Sequence, residues 1–292
     1  MVRRLIFILV LASLTAGCGQ SRPVKQGASS SRDTATPLSE PTPQLAVTTS
    51  PGLSATAEIP MATAGNQARP DDAAALLDRG NAYFEKKDYD RAIADLDRAI
   101  QLKPDYAEAY TNRGYAYDSK GDYDRAIADY DKAIQLKPDS VEAYSNRGAA
   151  YHAQGDNDRA IADFNRAIQL RPDDALAYHN RGYAYSNKGD YDRAIADYDR
   201  VIQLMPDFVD AHYGRGLAYY AKGDYDRAIA DADKAIQLKP DDALLYILRG
   251  LALRELGKNT EAIADLKESV ELTSNPDVRE MAEQALSELG VQ

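Results

Sequence analysis

Six prolines, Pro70, Pro104, Pro138, Pro172, Pro206 and Pro240, stand 34 residues apart, and six Arg-Gly pairs from Arg79-Gly80 to Arg249-Gly250 keep the same interval. A fixed period of that length constrains the fold more than any other feature of the chain. Each unit is one supersecondary block that buries its apolar face only by stacking on its neighbours. The period divides the chain into units 73–106, 107–140, 141–174, 175–208, 209–242 and 243–276. A length of 292 residues would ordinarily suggest one or two globular domains. The repeat replaces that expectation with a linear stack.

Each unit reads as two helices. From Ala107 to Lys120, Tyr110, Gly114 and Tyr117 share a stripe, and from Tyr123 to Leu136, Ala126, Ile127, Tyr130, Ala133 and Ile134 do the same, both at helical spacing. Gly121 is placed to close the first helix in the left-handed conformation, and Asp122 to cap the second. Pro138 stops the second helix. Asp139 with Glu142, and Asp105 with Glu108, have the spacing of a capping box for the helix that follows.

These features resemble the tetratricopeptide repeat. Gly80, Gly114, Gly148, Gly182, Gly216 and Gly250 stand where that family lets two helices approach, with Ala92, Ala126, Ala160, Ala194, Ala228 and Ala262 on the second helix. The aromatic knob is Tyr130, Phe164 or Tyr198 in central units and Leu96, Ala232 or Leu266 elsewhere. The family's Leu before the glycine is Arg in all six units, which is expected to pair with nearby Asp side chains. The resemblance implies an all-α fold, a right-handed α-solenoid of six 34-residue helix-turn-helix repeats over residues 71–276, closed by a Glu-rich capping helix from Asp277 to Leu289 within 277–292.

The N-terminal quarter has another composition. Arg3 and Arg4, an apolar run from Leu5 to Ala12 and the small-residue exit Ala16-Gly17-Cys18 read as a secretory signal at 1–17, too short for a comfortable bilayer span. The segment resembles a bacterial lipoprotein signal, with Thr15 where that pattern most often has Leu. The resemblance implies that Cys18, the one cysteine, is acylated and anchors the protein to a membrane. Residues 18–70 form a tether: of positions 19–69, 32 are Ser, Thr, Pro, Ala or Gly and none is aromatic, so the segment cannot offset its ordering entropy by burial. With a single cysteine there is neither an internal disulfide nor a Cys-based zinc site.

Beyond residue 70 the chain carries 29 Lys and Arg against 43 Asp and Glu. So acidic a body repels phosphate backbones, which argues against nucleic-acid binding. Asp-x-Asp pairs such as Asp122/Asp124, Asp156/Asp158 and Asp190/Asp192 recur where helices start, which makes them caps before metal ligands. His212 takes a slot held by Tyr in sister units and reads as packing; His152 and His179 alone make a poor zinc site. No phosphate loop or catalytic triad order accompanies them, so the chain reads as an adaptor, not an enzyme, with no cofactor. In the resembled family, unit positions 2, 5, 9, 12 and 13 line a concave groove. Here they give Tyr115, His152, His179, Tyr183, Asn187, Tyr213, Leu217 and Tyr220 as candidates to bind a partner protein or peptide, with Tyr183, Tyr213 and Tyr220 expected to stand free. No Lys or Arg occurs at these positions before Arg254, unlike clefts that clamp a C-terminal carboxylate. The expected whole is an exported, membrane-anchored adaptor of the bacterial cell envelope, monomeric. A self-associating scaffold and a secreted, unanchored protein are the alternatives.

Overall fold

A computed structural model describes residues 72–291. The signal at 1–17, Cys18 and the tether at 18–70 lie outside them. The described residues form thirteen helices and no strand. They come in pairs, one pair per unit: α1 (Ala73–Glu85) with α2 (Tyr89–Leu102), α3 (Ala107–Ser119) with α4 (Tyr123–Leu136), α5 (Val141–Ala153) with α6 (Asn157–Leu170), α7 (Ala175–Asn187) with α8 (Tyr191–Leu204), α9 (Val209–Ala221) with α10 (Tyr225–Leu238), and α11 (Ala243–Glu255) with α12 (Asn259–Leu272). Helix α13 (Pro276–Glu288) follows. Each pair packs on the next, so the chain is an all-α helical repeat.

The turn inside each pair follows from two residues. Gly121 adopts φ 78° and donates to the Asp118 carbonyl at 2.8 Å, a conformation that costs glycine little. In the first unit Lys87 takes φ 60° instead. Asp122 then caps α4, its carboxylate accepting from the Arg125 amide at 3.2 Å. The expected capping boxes do not form. After Pro138 the chain makes one more turn, closed by the Ser140 amide on the Lys137 carbonyl, which leaves Asp139 before the cap. Ser140 caps α5 through Oγ on the Ala143 amide at 3.3 Å, while Glu142 pairs with Arg171 at 2.8 Å. Tyr106 occupies the corresponding place before α3 and offers no side-chain cap.

Within a unit, the knob of the second helix fills the place of a missing Cβ on the first. A Cβ on Gly114 would lie 2.8 Å from Tyr130 Cε1, and one on Gly148 the same distance from Phe164 Cε1. Where the knob shrinks to Ala232, Leu248 of the next unit takes its place, 2.9 Å from a Gly216 Cβ. Conversely the tip of Tyr198 needs Gly214, whose Cβ would sit 2.6 Å from the ring. At these two places a small or a large knob is thus matched by a residue of the next unit, as a close-packed interior requires. At the far end Val278, Met281, Ala282, Ala285 and Leu286 of α13 bury against the apolar cluster of α9 to α12, as expected of a cap.

The repeated arginine supplies the polar seam of the same interface. Arg147 donates through Nε and Nη2 to both oxygens of Asp163 at 2.8 and 2.6 Å, and through Nη1 to Asp131 of the preceding unit at 2.5 Å. Arg113, Arg215 and Arg249 repeat the arrangement with Asp129 and Asp97, Asp231 and Asp199, and Asp265 and Asp233. In the fourth unit Asn165 replaces the second aspartate under Arg181 at 2.6 Å. The planar fork matches two carboxylates at once, which an ammonium would not.

Candidate functional site

The first helices α1, α3, α5, α7, α9 and α11 carry the five groove positions, because residues at those spacings share one face. Tyr115 on α3 is half-buried and stacks on Phe84 of α1, ring centroids 4.6 Å apart. His152, Tyr183 and Asn187 are brought together. The imidazole meets the Tyr183 ring edge-on at 4.9 Å, its Nδ1 lies 2.7 Å from Asn157 Oδ1, and its Nε2 lies 3.3 Å from Asn187 Nδ2. A neutral ring with its proton on Nδ1 donates to the first and accepts from the second. Burial holds its pKa down accordingly, against the Asn157 contact. Tyr183 is half-buried and Asn187 exposed.

His179 makes its ring contacts elsewhere. It packs edge-on to Phe208 at 5.2 Å and against Tyr198 at 5.7 Å, and burial lowers its pKa. Among the described residues no group of three or more His, Cys, Asp or Glu could hold a metal ion. His212 is a packing residue, with Nε2 2.9 Å from the Pro206 carbonyl.

Three of the expected groove residues belong to the interior. Tyr213, Leu217 and Tyr220 are only 6%, 8% and 4% exposed. The next first helix presents Ile247 and Leu251 at the unit positions of Tyr213 and Leu217, so two apolar faces meet and expel water. Tyr220 is packed on Tyr225 at 5.5 Å, and burial pushes its hydroxyl up to about 12. On α3 and α5 those positions hold Thr111, which is buried, and Tyr115, Ser145 and Ala149, which are only half-buried. The accessible groove therefore runs over α3, α5 and α7. Comparing each position with the one 34 residues on would have shown the difference.

Sequence reasoning also passed over residues the structure brings forward. Leu176, at the start of α7, is 46% exposed on a groove position. Asp118, in the last turn of α3, is withdrawn from water by its neighbours, and burial alone raises its pKa to about 6. Glu108 is likewise raised by burial, with Asp78 adding to the effect, and its Oε1 has no hydrogen-bond partner among the described residues. The one cation on the groove positions, Arg254, is bound to Glu288 at 2.6 Å and Glu255 at 2.9 Å. The lining is aromatic and polar, with its charge on the acidic side.

Family models agree with this architecture. One described as TPR repeat matches residues 80–119, 116–155 and 148–189, and one described as tetratricopeptide repeat matches 179–243 and 222–277. No curated protein sequence matches the chain. Among solved structures, PilW, described as a widely conserved type IV pilus biogenesis factor, superposes with a TM-score of 0.66 and 20% identity over 74% of this chain and 99% of its own. One chain of the Cut9 and Hcn1 hetero-tetramer of the APC/C gives 0.64 and 21% identity over 75% of this chain, which spans 43% of that chain. YrrB, described as a TPR protein with an unusual peptide-binding site, gives 0.52 and 27% identity over 60% of this chain and 90% of its own.

Proposed function

The chain belongs to the tetratricopeptide repeat family, and from that membership we propose that it is an adaptor holding a segment of a partner protein across α3, α5 and α7. The observation that carries this reading is the contrast along the groove. Towards the C-terminus Tyr213, Leu217 and Tyr220 are sealed, whereas Tyr115 and Tyr183 are half-buried beside exposed Leu176 and Asn187. Rigid aromatic rings flanked by adaptable polar groups are what peptide-binding surfaces use, and Tyr is enriched among their hot spots. The family is generally one of non-enzymatic interaction scaffolds, consistent with an adaptor.

The signal-like segment at 1–17 and Cys18 support export and lipid anchoring in a bacterial cell envelope, where the adaptor would assemble a complex. A photo-crosslinking residue at Asn187 should trap a discrete partner in envelope fractions, and one at exposed Ala196 on the second helix α8 should not. Adding Tyr115→Ala and Tyr183→Ala should abolish the trapped band without changing helical circular dichroism. Equal trapping from Ala196 would refute the groove reading. Cys18→Ser should move the protein out of the membrane pellet, and an unchanged pellet with no acyl mass on the native protein would refute the anchor.

A further inference from the structure

Resting on the reading of α3, α5 and α7 as the groove, we propose that the segment held there carries a tyrosine whose ring enters a gap beside His152 that the third unit leaves open. In the first, second, fourth and fifth units the second helix begins with a tyrosine, Tyr89, Tyr123, Tyr191 or Tyr225. Tyr89 packs on Phe84, five places before it near the end of the first helix, with ring centroids 5.3 Å apart, and Tyr225 packs on Tyr220 in the same relation at 5.5 Å. In the third unit those two places hold His152 and Asn157. The first ring is kept and the ring that would pack on it is gone. A cavity of about 450 Å³ opens there, lined by Gln154, Gly155, Asp156, Asn157, Asp158 and Lys188. The sixth unit also begins its second helix with an asparagine, Asn259, but the place of His152 is taken there by Arg254, which is held by Glu288 of α13 and carries no aromatic ring.

The gap adjoins the groove through His152. Asn157, in the cavity wall, holds the imidazole by Oδ1 at 2.7 Å from Nδ1, while the same ring meets Tyr183 edge-on at 4.9 Å and lies 3.3 Å from Asn187 Nδ2. Three neighbours thus fix the imidazole before anything binds, so little freedom remains to be lost when a second ring packs on it. The lining selects tyrosine among apolar side chains. A phenol presents an apolar ring to the imidazole and a polar tip to the amides, carboxylates and ammonium around it, which leucine and phenylalanine do not. The carboxylates in the wall already have cations: Asp156 is held by Arg159, and Asp158 by Lys188 of the next unit. Nor can the segment before α1 supply the phenol, because the first tyrosine of the chain is Tyr83. The ring comes from another molecule.

The test titrates the isotope-labelled full chain with N-acetyl-tyrosinamide and with N-acetyl-leucinamide and follows the backbone amide resonances. The tyrosine probe should shift the amides of Gln154 to Asp158 and of Lys188, and bind about fivefold tighter than the leucine probe. Asn157→Tyr, which restores the ring of the sister units, should abolish those shifts, and Asn157→Ala should keep them. Absent shifts, equal affinity for the two probes, or shifts untouched by Asn157→Tyr each overturn the inference. In the photo-crosslinking experiment from Asn187, Asn157→Tyr should weaken the trapped band about fivefold. A band lost with Tyr115→Ala and Tyr183→Ala but unchanged by Asn157→Tyr overturns the tyrosine gap and leaves the groove reading standing. Shifts at the gap with no band trapped from Asn187 overturn the groove reading and leave the gap standing. Self-association of the parent chain that Asn157→Tyr abolishes assigns the ring to a second copy and overturns the partner segment.

Discussion

Arg147 illustrates what a polar residue gains at a position where the family packs a leucine. Its fork closes on Asp163, whose side chain is 8% exposed, and its third nitrogen reaches Asp131 of the preceding unit. Arg147→Ala strands a buried carboxylate and should cost about 3–5 kcal/mol, read as a lower urea midpoint. Arg147→Lys keeps the charge but not the fork and should recover only part of it. Asp118 predicts the opposite sign. Its folded-state pKa of about 6 lies above the ordinary 3.8, so between those values the native chain binds a proton that the unfolded chain releases. Its contribution to stability is therefore favourable at low pH and is lost as pH rises through about 6. Asp118→Asn should raise the melting temperature at about pH 7.5 and leave it nearly unchanged at about pH 4. An equal effect at both would show that the carboxylate is solvated. His152 and His179 are held neutral by burial and act in the reverse sense, destabilising as pH falls below 6.5. The comparison of variant with parent at each pH removes their shared contribution. Lys87, alone among non-glycine residues in taking a positive φ among the described residues, invites Lys87→Gly, which should stabilise by about 1 kcal/mol.

Between elements, stability rests on exchanges of volume. Leu248→Ala should leave a cavity over Gly216 and cost about 2–5 kcal/mol. Ala232→Leu refills that space from the second helix, as Leu96 and Leu266 do beneath Gly80 and Gly250, so the double variant should recover at least half the loss. Additive losses would show that the two sites do not share the space. Such pairing was only half legible in sequence. The helix from Tyr123 to Leu136, the glycine turn after α3 and the knobs beneath the glycines were readable because each is written within one unit. The fate of Tyr213 and Leu217 was legible only across units, by setting them against Ile247 and Leu251 in the next. The cap of α5 was misplaced by one residue, since the turn after Pro138 decides whether Asp139 or Ser140 reaches the free amides. Asp118 has the composition of an ordinary surface carboxylate; its burial comes from neighbours that spacing along one helix does not reveal.

Over the whole molecule the stack is held by nearest-neighbour contacts, so its ends carry a burden its middle does not. Removing residues 277–292 uncovers the apolar face that Met281 and Leu286 cover. Sedimentation of Cys18→Ser chains should then show association in the truncated form and a monomer in the intact one. A monomer in both would mean that α13 is dispensable as a cap. The seam of arginines has a further consequence. From Arg113 to Arg249 each guanidinium reaches the acid sixteen residues ahead in its own unit and the acid or amide sixteen residues behind in the previous one. That rule is blind to which unit it is applied in. Excising residues 141–174 would bring Arg181 onto Asp131 in place of Asn165, with its own Asp197 untouched. A gene that loses or duplicates one such block in frame thereby encodes a shorter or longer stack whose seam is already complete, so the length of this molecule is a quantity that inheritance can change in whole steps.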